Sequence, residues 1–482
     1  IKDLVSFGVL YTDSEGKLID EWTTSDEPPE IFKVLTTQNQ SEAFVRWVVE
    51  EPGVLETAVW KDRELMQSWI NYYISLQDER DICYVTGNEV AIAVSHPAKI
   101  RNDGDKAKLI SGNDHSGFTF RGRFENDAQA ARVSYEVTQK AHNMLRWLVR
   151  NQGFRSGELA IVAWAIGARA IPNPVYDSSS LLGTPDHPDV AYTAEEFALK
   201  LRKRILGLQQ DLGGFSNIYV IGLNSATPGR MSLAFYRELW TSEFFQRLET
   251  WHTNMAWYHH YSPGVNRQSS TSMFVGAPSL SDIAEAAYGL KLDQSLRAKT
   301  IERLLPCVID GQALPADILS AAVRRAANRV AFAQEWEWRK TLTIACALYK
   351  GSNTREGYTM ALDPARKSRD YLYGRLLAYA DNIERWALNE RNEQRPTNAA
   401  RLMQRFAERP YSTWRTLELA IRPYIDRLGA KGTSRIRGMS EIMSLFDPDD
   451  FISDRPLSGE FLLGYHCQLM ALYPSDNERH EG

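Results

Sequence analysis

The sequence predicts an α+β protein: a mixed α/β N-terminal domain followed by a C-terminal α-helical bundle. Short segments rich in β-branched and aromatic residues, bounded by Gly, Asn or Asp, are confined to the first 265 residues. From Ser279 onward those segments fade, and apolar residues recur at helical spacing. At 482 residues the chain exceeds what one core ordinarily holds. It is therefore read in three parts: a mixed α/β domain over 1–265, a helical middle region over 270–355 and a C-terminal helical bundle over 356–482.

Expected strands are "NEVAIAV" (88–94), "GFTFRGRF" (117–124), "ELAIVAWAI" (158–166) and "NIYVIGL" (217–223). Between them, Val133, Val137, Ala141, Leu145 and Leu148 predict a helix over 128–150. "TAEE" has capping-box form, with Thr193 as N-cap and Glu196 three residues on. It opens a helix with the stripe Phe197, Leu201, Ile205, Leu208 and Leu212. "LNSATPGR" (223–230) reads as a turn from strand to helix, the helix being "MSLAFYREL". The polar loop "YSPGVNRQSSTS" (261–272) reads as the hinge between halves. Asp282 with Glu285 opens one later helix, and Ile318, Ala322, Ala326 and Val330 mark another. Asp363–Pro364 reads as N-cap and first helical position. Two more helices begin near Thr397 and Ser412, and a soft boundary falls at Gly351–Gly357.

The composition, 43% hydrophobic and 24% charged with 13 Trp and 21 Tyr, is that of a folded chain and argues against long disorder. The apolar run "LAIVAWAI" (159–166) has strand length, far short of the roughly 20 residues a membrane helix needs. "IKDLVSFGVL" has no signal-peptide pattern, and the absent Met suggests a start upstream. Cys83, Cys307, Cys346 and Cys467 form no CxxC pair and read as buried free thiols of a reducing cytoplasm. The net charge of −5 hides an asymmetry. Met360 to Arg437 holds 16 basic and 9 acidic residues, and Gly438 onward 2 basic and 9 acidic. Arg outnumbers Lys, 40 to 16, which suits planar contact with phosphate.

No enzyme signature is found. His259–His260 and His466–Cys467 are adjacent pairs that point apart, and HExxH and GxSxG are absent. Asp447, Asp449, Asp450 and Asp454 in "FDPDDFISD" leave two readings open, a divalent-ion site serving a metal-dependent nuclease or a solvated helix cap. The two differ in their response to a chelator. In "HPAKIRNDGDKAKLISGNDHSGFTFRGRF" (96–124) cations interleave with Gly, Asn and Phe. Gly lets phosphate approach, Lys and Arg neutralise it, and Asn reaches base edges. Lys99, Arg101, Asn102, Lys106, Lys108, Asn113, Arg121 and Arg123 are the candidate contacts, against an ordinary exposed hairpin. By strand alternation Arg121 and Arg123 share one face and Phe118, Phe120 and Phe124 the other. Asn224 and Arg230 in the 223–230 turn are candidate anion contacts, against a structural turn. Further on, Arg401, Arg405 and Arg409 are spaced by four and Arg415 and Arg422 by seven. Arg324, Arg325 and Arg329 form a third group. Such rows suit a phosphate backbone or an ordinary solvated face.

"HPAKIRNDGDKAKLISGNDHSGFTFRGRF", "SATPGRMSLAFYREL", "GAPSLSDIAEAAYG", "RKSRDYLYGRLLAYADNIE", "RPTNAARLMQRF" and "LSGEFLLGYHCQ", in this order, together resemble the large subunit of the type I-C CRISPR Cascade. The resemblance implies a non-catalytic protein of the prokaryotic cytoplasm, without cofactor or membrane segment. It implies recognition of the protospacer-adjacent motif (PAM) in target double-stranded DNA, help in opening the duplex, and retention of the displaced strand of the R-loop in antiviral defence. Implied partners are the crRNA-containing Cascade backbone, the subunits at the crRNA 5′ end, and a nuclease-helicase recruited afterwards. Small-subunit copies made from the chain's own C-terminal region are implied too, with Met360 the candidate internal start.

Overall fold

The computed structural model describes residues 2–473 apart from 25, 36–38, 51, 54–55, 78, 112–122, 126, 168–170, 183–193, 213–216, 228 and 262–271. The expected strand 117–124 and hinge 261–272 thus lie almost wholly outside the described residues, as does Thr193. The α+β expectation holds: small antiparallel sheets precede a helical C-terminal region. By its contacts the chain forms two compact units, Ile1–Val94 with Ala128–Thr138, and Ser95–Asp127 with Gln139–Gly482.

In the first unit, Asp62 caps the Arg63–Ser75 helix by accepting from the N–H groups of Glu64 and Leu65. Strands β1 (Arg80–Ile82) and β2 (Glu89–Ala91) pair antiparallel across a turn closed by the Gly87 N–H on the Cys83 carbonyl, 2.8 Å. Cys83 is buried at its foot, and its Sγ accepts from the Ser134 N–H at 3.2 Å.

The second unit is organised by a four-stranded antiparallel sheet: β3 (Phe154–Ser156), β4 (Leu159–Ala165), β5 (Asn217–Thr227) and β6 (Arg230–Trp240), in that order. The near-continuous apolar run of β4 is explained by burial on both faces. Leu159, Ile161, Ala163 and Ala165 turn to one side, Ala160 and Val162 to the other. The first face joins a core that continues through the helices to Cys467. The second is covered by Leu148 and Val149 of the Tyr135–Gln152 helix and by Ile100 and Ala107 of the loop that follows Val94.

The sequence reading of "MSLAFYREL" as a helix is corrected, since these residues form β6. Met231, Phe235 and Leu239 recur every fourth residue, a spacing that a helix face and a strand face share. The register shows which it is. Gly222 faces Phe235 and Leu223 faces Leu233, so Ala234 is a bulge that reverses the facing. Met231 thereby packs on the loop side of the sheet, and Phe235 and Leu239 on the helical side. Other boundaries move too, and the helix read over 128–150 begins at Tyr135 and leaves Val133 outside it. Asp363–Pro364 forms a turn, and the helix begins at Arg369 behind Ser368. Val330 lies beyond the Ala316–Ala327 helix and is exposed. Strands β7 (Trp257–Tyr261) and β8 (Ser272–Gly276) pair antiparallel and were not expected.

The bundle closes on two helices in backbone contact. In Arg369–Asn389 and Glu460–Leu472, a Cβ at Gly374 would strike the Phe461 carbonyl, and one at Gly464 the Tyr371 carbonyl. Backbone cannot step aside as a side-chain end does. Gly374→Ala and Gly464→Ala are each expected to lower stability by about 1–3 kcal/mol, the usual cost of overpacking, read as a lower urea midpoint at unchanged slope.

Candidate nucleic-acid interface

The basic loop over 95–108 is closed from within. Arg101 is only 4% exposed. Its Nε and Nη2 donate to the two carboxylate oxygens of Asp105 at 2.8 and 3.0 Å. Nη2 also lies 2.7 Å from Glu158 Oε2, and Nη1 donates to the Glu158 carbonyl. Burial alone would lower the guanidinium pKa, but Asp105 and Glu158 raise it; burial raises that of Asp105, and Arg101 overrides it downward. The Lys99 N–H donates to the Asp105 carbonyl at 2.9 Å, and the Ala107 N–H to Asp105 Oδ1 at 2.9 Å. Lys99 is held at φ +60°, a left-handed conformation uncommon outside glycine. A conformation costing of order 1 kcal/mol persists where its surroundings over-determine it, and here the Arg101–Asp105 clasp does so. At the surface the clasp leaves Lys99, Asn102, Asp103, Gly104 and Lys106 exposed.

This loop is sewn to the β5–β6 turn. The Lys108 N–H donates to the Gly229 carbonyl at 3.1 Å, and its own carbonyl accepts from Met231 at 3.0 Å. Lys108 Nζ donates to Ser95 Oγ at 2.6 Å. Two stretches that the sequence reading treated as separate anion sites, 99–108 and 223–230, are therefore one surface. Below it His96 is buried and stacked on His142, and burial, then His142 and Lys108, drop its pKa to about 4, so it stays neutral.

A second surface lies on two consecutive helices, Asn398–Glu408 and Pro410–Leu428. The first begins where expected, and Thr397 caps it, its hydroxyl accepting from the Ala400 N–H. Ala399, Ala400, Met403 and Phe406 are buried, and Arg401 and Arg405 lie on the exposed side, with Arg409 exposed at the join. On the second helix Thr413, Trp414, Leu417 and Ile421 are buried, and Arg415 and Arg422 are exposed. Arg401 donates to Asn398 Oδ1, and Arg415 stands 6.0 Å from the Tyr411 ring centre. Among the described residues none of these five arginines is in an ion pair.

Residues 2–473 match the family model described as CRISPR-associated protein (Cas_Csd1). The chain belongs to that family. No curated protein matches it. Among the described residues of this Cas_Csd1 chain, no helix is long and apolar enough to cross a membrane.

Other expected contacts of the Cas_Csd1 protein are turned wholly or partly inward. Arg101 is a clasp and not a surface cation, as given above. Asn224 is occupied at both ends, donating to Glu302 Oε2 at 2.8 Å and accepting from the Ser225 N–H at 2.8 Å. Arg230 is half-buried beside Lys108. Arg325 donates to the Ala286 carbonyl at 3.1 Å and lies over Phe332. Arg329 is buried, paired with Asp381 at 3.0 Å and Glu335 at 2.8 Å, and stacked 3.9 Å over Trp338. Arg329 and Asn224 thus have packing partners, while Arg230 and Arg325 stay partly exposed. Arg123 is exposed, while Asn113 and Arg121 lie outside the described residues. Met360 is buried in the main core, its carbonyl accepting from Cys467 Sγ.

The carboxylate-rich turn has capping geometry. Asp447 accepts from the N–H groups of Asp449 and Asp450, and Asp454 accepts from the Ser412 N–H and hydroxyl. Among the described residues no group of three or more His, Cys, Asp or Glu is arranged to hold a metal ion. The four cysteines are buried and free. The sequence reading missed Asp105, Glu158, Ser95 and Glu302, the partners that fix the loop and turn. Only Asp105, four residues from Arg101, carried a local signal.

Proposed function

We propose that this chain is the non-catalytic DNA-recognition subunit, the large subunit, of a crRNA-guided type I-C complex. It reads the PAM in duplex DNA through the loop at 99–108, helps part the strands, and retains the displaced strand on the arginines of the 398–428 helices. Cutting falls to a separate nuclease-helicase. In such systems guide pairing reads sequence, while protein reads a short duplex motif and holds backbone. The observation that carries the reading is the clasped loop, which lifts Lys99, Asn102 and Lys106 together at a surface anchored to a rigid sheet. A pre-shaped loop offering cations and an amide beside glycine suits phosphates at its flanks and a base edge at its tip. Copies of the C-terminal region beginning at Met360 would extend the arginine surface along the strand.

The test is a titration of the assembled complex against two duplexes that differ only in the base pairs flanking the target, at two salt concentrations. The wild-type complex is expected to prefer one flank and to lose affinity with salt by roughly one log–log unit per phosphate held. Lys99→Glu with Lys106→Glu is expected to abolish the preference and leave guide-RNA assembly intact. Lys108 is left alone, because its Nζ and backbone hold the loop. Equal wild-type affinity for both duplexes would overturn the reading and leave the chain a scaffold.

A further inference from the structure

Next to the arginine row lies a cavity of about 700 Å³, bounded by the start of the Asn398–Glu408 helix and by the Glu335–Ser352, Arg369–Asn389 and Glu460–Leu472 helices. That volume is within the roughly 300–1,000 Å³ of ligand sites. Three arginines and two carboxylates line it. Arg329 takes both carboxylates, Asp381 and Glu335, and Arg339 shares Glu335 at 3.4 Å. Arg385 acts on Asp381 and Tyr473 only through its charge, without an ion pair among the described residues, so three guanidiniums face two carboxylates and the cavity holds one positive charge in excess.

The rest of the lining has a different character. Phe332 is partly buried, and Met470 and Tyr473, 40% and 50% exposed, stand at the rim. The amides of Asn389 and Gln394 are exposed beside them. An apolar and aromatic wall, neutral amides and one surplus guanidinium are what a single nucleotide needs: a flat face, hydrogen-bonding edges and one negative charge. Ala400 lines the cavity and Arg401 follows it on the exposed side of the same helix, so a strand tracking Arg409, Arg405 and Arg401 is led toward the cavity.

We propose that this cavity takes one splayed-out nucleotide of single-stranded DNA, its base against Phe332, Met470 and Tyr473 and its phosphate on Arg385. The proposal rests on the strand-holding reading above and gives it a fixed register. A strand held only by its phosphates slides; one pinned base stops it.

The experiment cross-links the full chain to a thymidine oligonucleotide carrying 5-iododeoxyuridine and maps the adducts by mass spectrometry, beside affinities for the same oligonucleotide. Adducts are expected on Tyr473, Met470 or Phe332. Tyr473→Ala and Arg385→Ala are each expected to weaken binding about fivefold or more, the lower range for losing one stacked base, while Tyr473→Phe keeps wild-type affinity. Adducts confined to other regions, with both alanine variants binding as wild type while Arg401→Glu with Arg405→Glu weakens binding, would overturn this inference and spare the strand-holding reading. No binding by the wild-type chain would end both.

Discussion

Arg401→Glu with Arg405→Glu and Arg409→Glu is expected to lower affinity for single-stranded DNA by roughly 100-fold at low salt and to flatten its salt dependence. Three phosphate contacts on a single strand contribute about two units of log–log slope, at about 0.7 each. The side chains concerned are exposed and outside any ion pair among the described residues, so their charge is available to a ligand. The helix that carries them is held from its other side by Ala399, Ala400, Met403 and Phe406 and by the Thr397 cap, none of which the substitutions touch. The variant is expected to fold, so that a change reports on binding. Fluorescence anisotropy of a labelled thymidine oligonucleotide across a salt series decides it. An unchanged slope would make the row an ordinary solvated face. The flank preference of the assembled complex is expected to survive, since the loop at 99–108 is a separate surface.

Asp381→Ala is expected to destabilise the second unit by about 3–5 kcal/mol, the cost of leaving a buried charge without its partner. Asp381 Oδ2 faces Arg329 Nη1 at 3.0 Å and accepts from the Tyr465 hydroxyl at 2.8 Å, and Oδ1 accepts from the Thr397 hydroxyl. One carboxylate thus ties three helices and the Arg329 turn together. Without it, a guanidinium already stacked on Trp338 stays out of water with only Glu335 to balance it. Burial pushes the Asp381 carboxyl up, but Arg329 and then Thr397 override that and hold it below its ordinary value. A carboxyl depressed in the folded state binds its proton first in the unfolded state. Its contribution is therefore complete above about pH 4, the unfolded value, and lost as pH falls through the depressed native one. Urea unfolding at neutral pH and in acid should show the gap between wild type and Asp381→Ala narrowing in acid. A gap that holds constant would place the stabilisation elsewhere.

These two sets of arginines show how much of the interface was readable in the chain. Arg401, Arg405 and Arg409 repeat at four alongside Leu402, Met403 and Phe406, so the helix, its cap and its exposed face all follow from local spacing. Arg101 and Arg329 sit among equally basic neighbours, yet both are buried. Their partners Glu158 and Asp381 lie 57 and 52 positions away, a separation that no local pattern reports. The β5–β6 hairpin was misread for a related reason. Apolar residues four apart satisfy both periods, and the bulge at Ala234 that settles the matter exists only as a register against β5.

What the sequence by itself determined is the α+β class, the strand at 159–165, the helix start near Thr397 and the two basic stretches. Each rests on contacts within a few residues, where side-chain periodicity and capping chemistry act directly. What only the tertiary structure decided is which cations are free. Folding spends Arg101 on shaping the loop and Arg329 on tying helices, joins Lys108 to the Gly229 turn, and leaves Lys99, Lys106 and the 401–422 arginines facing water. A buried charge must find its counter-charge or stay unsolvated, and that partner is chosen by packing, not by distance along the chain.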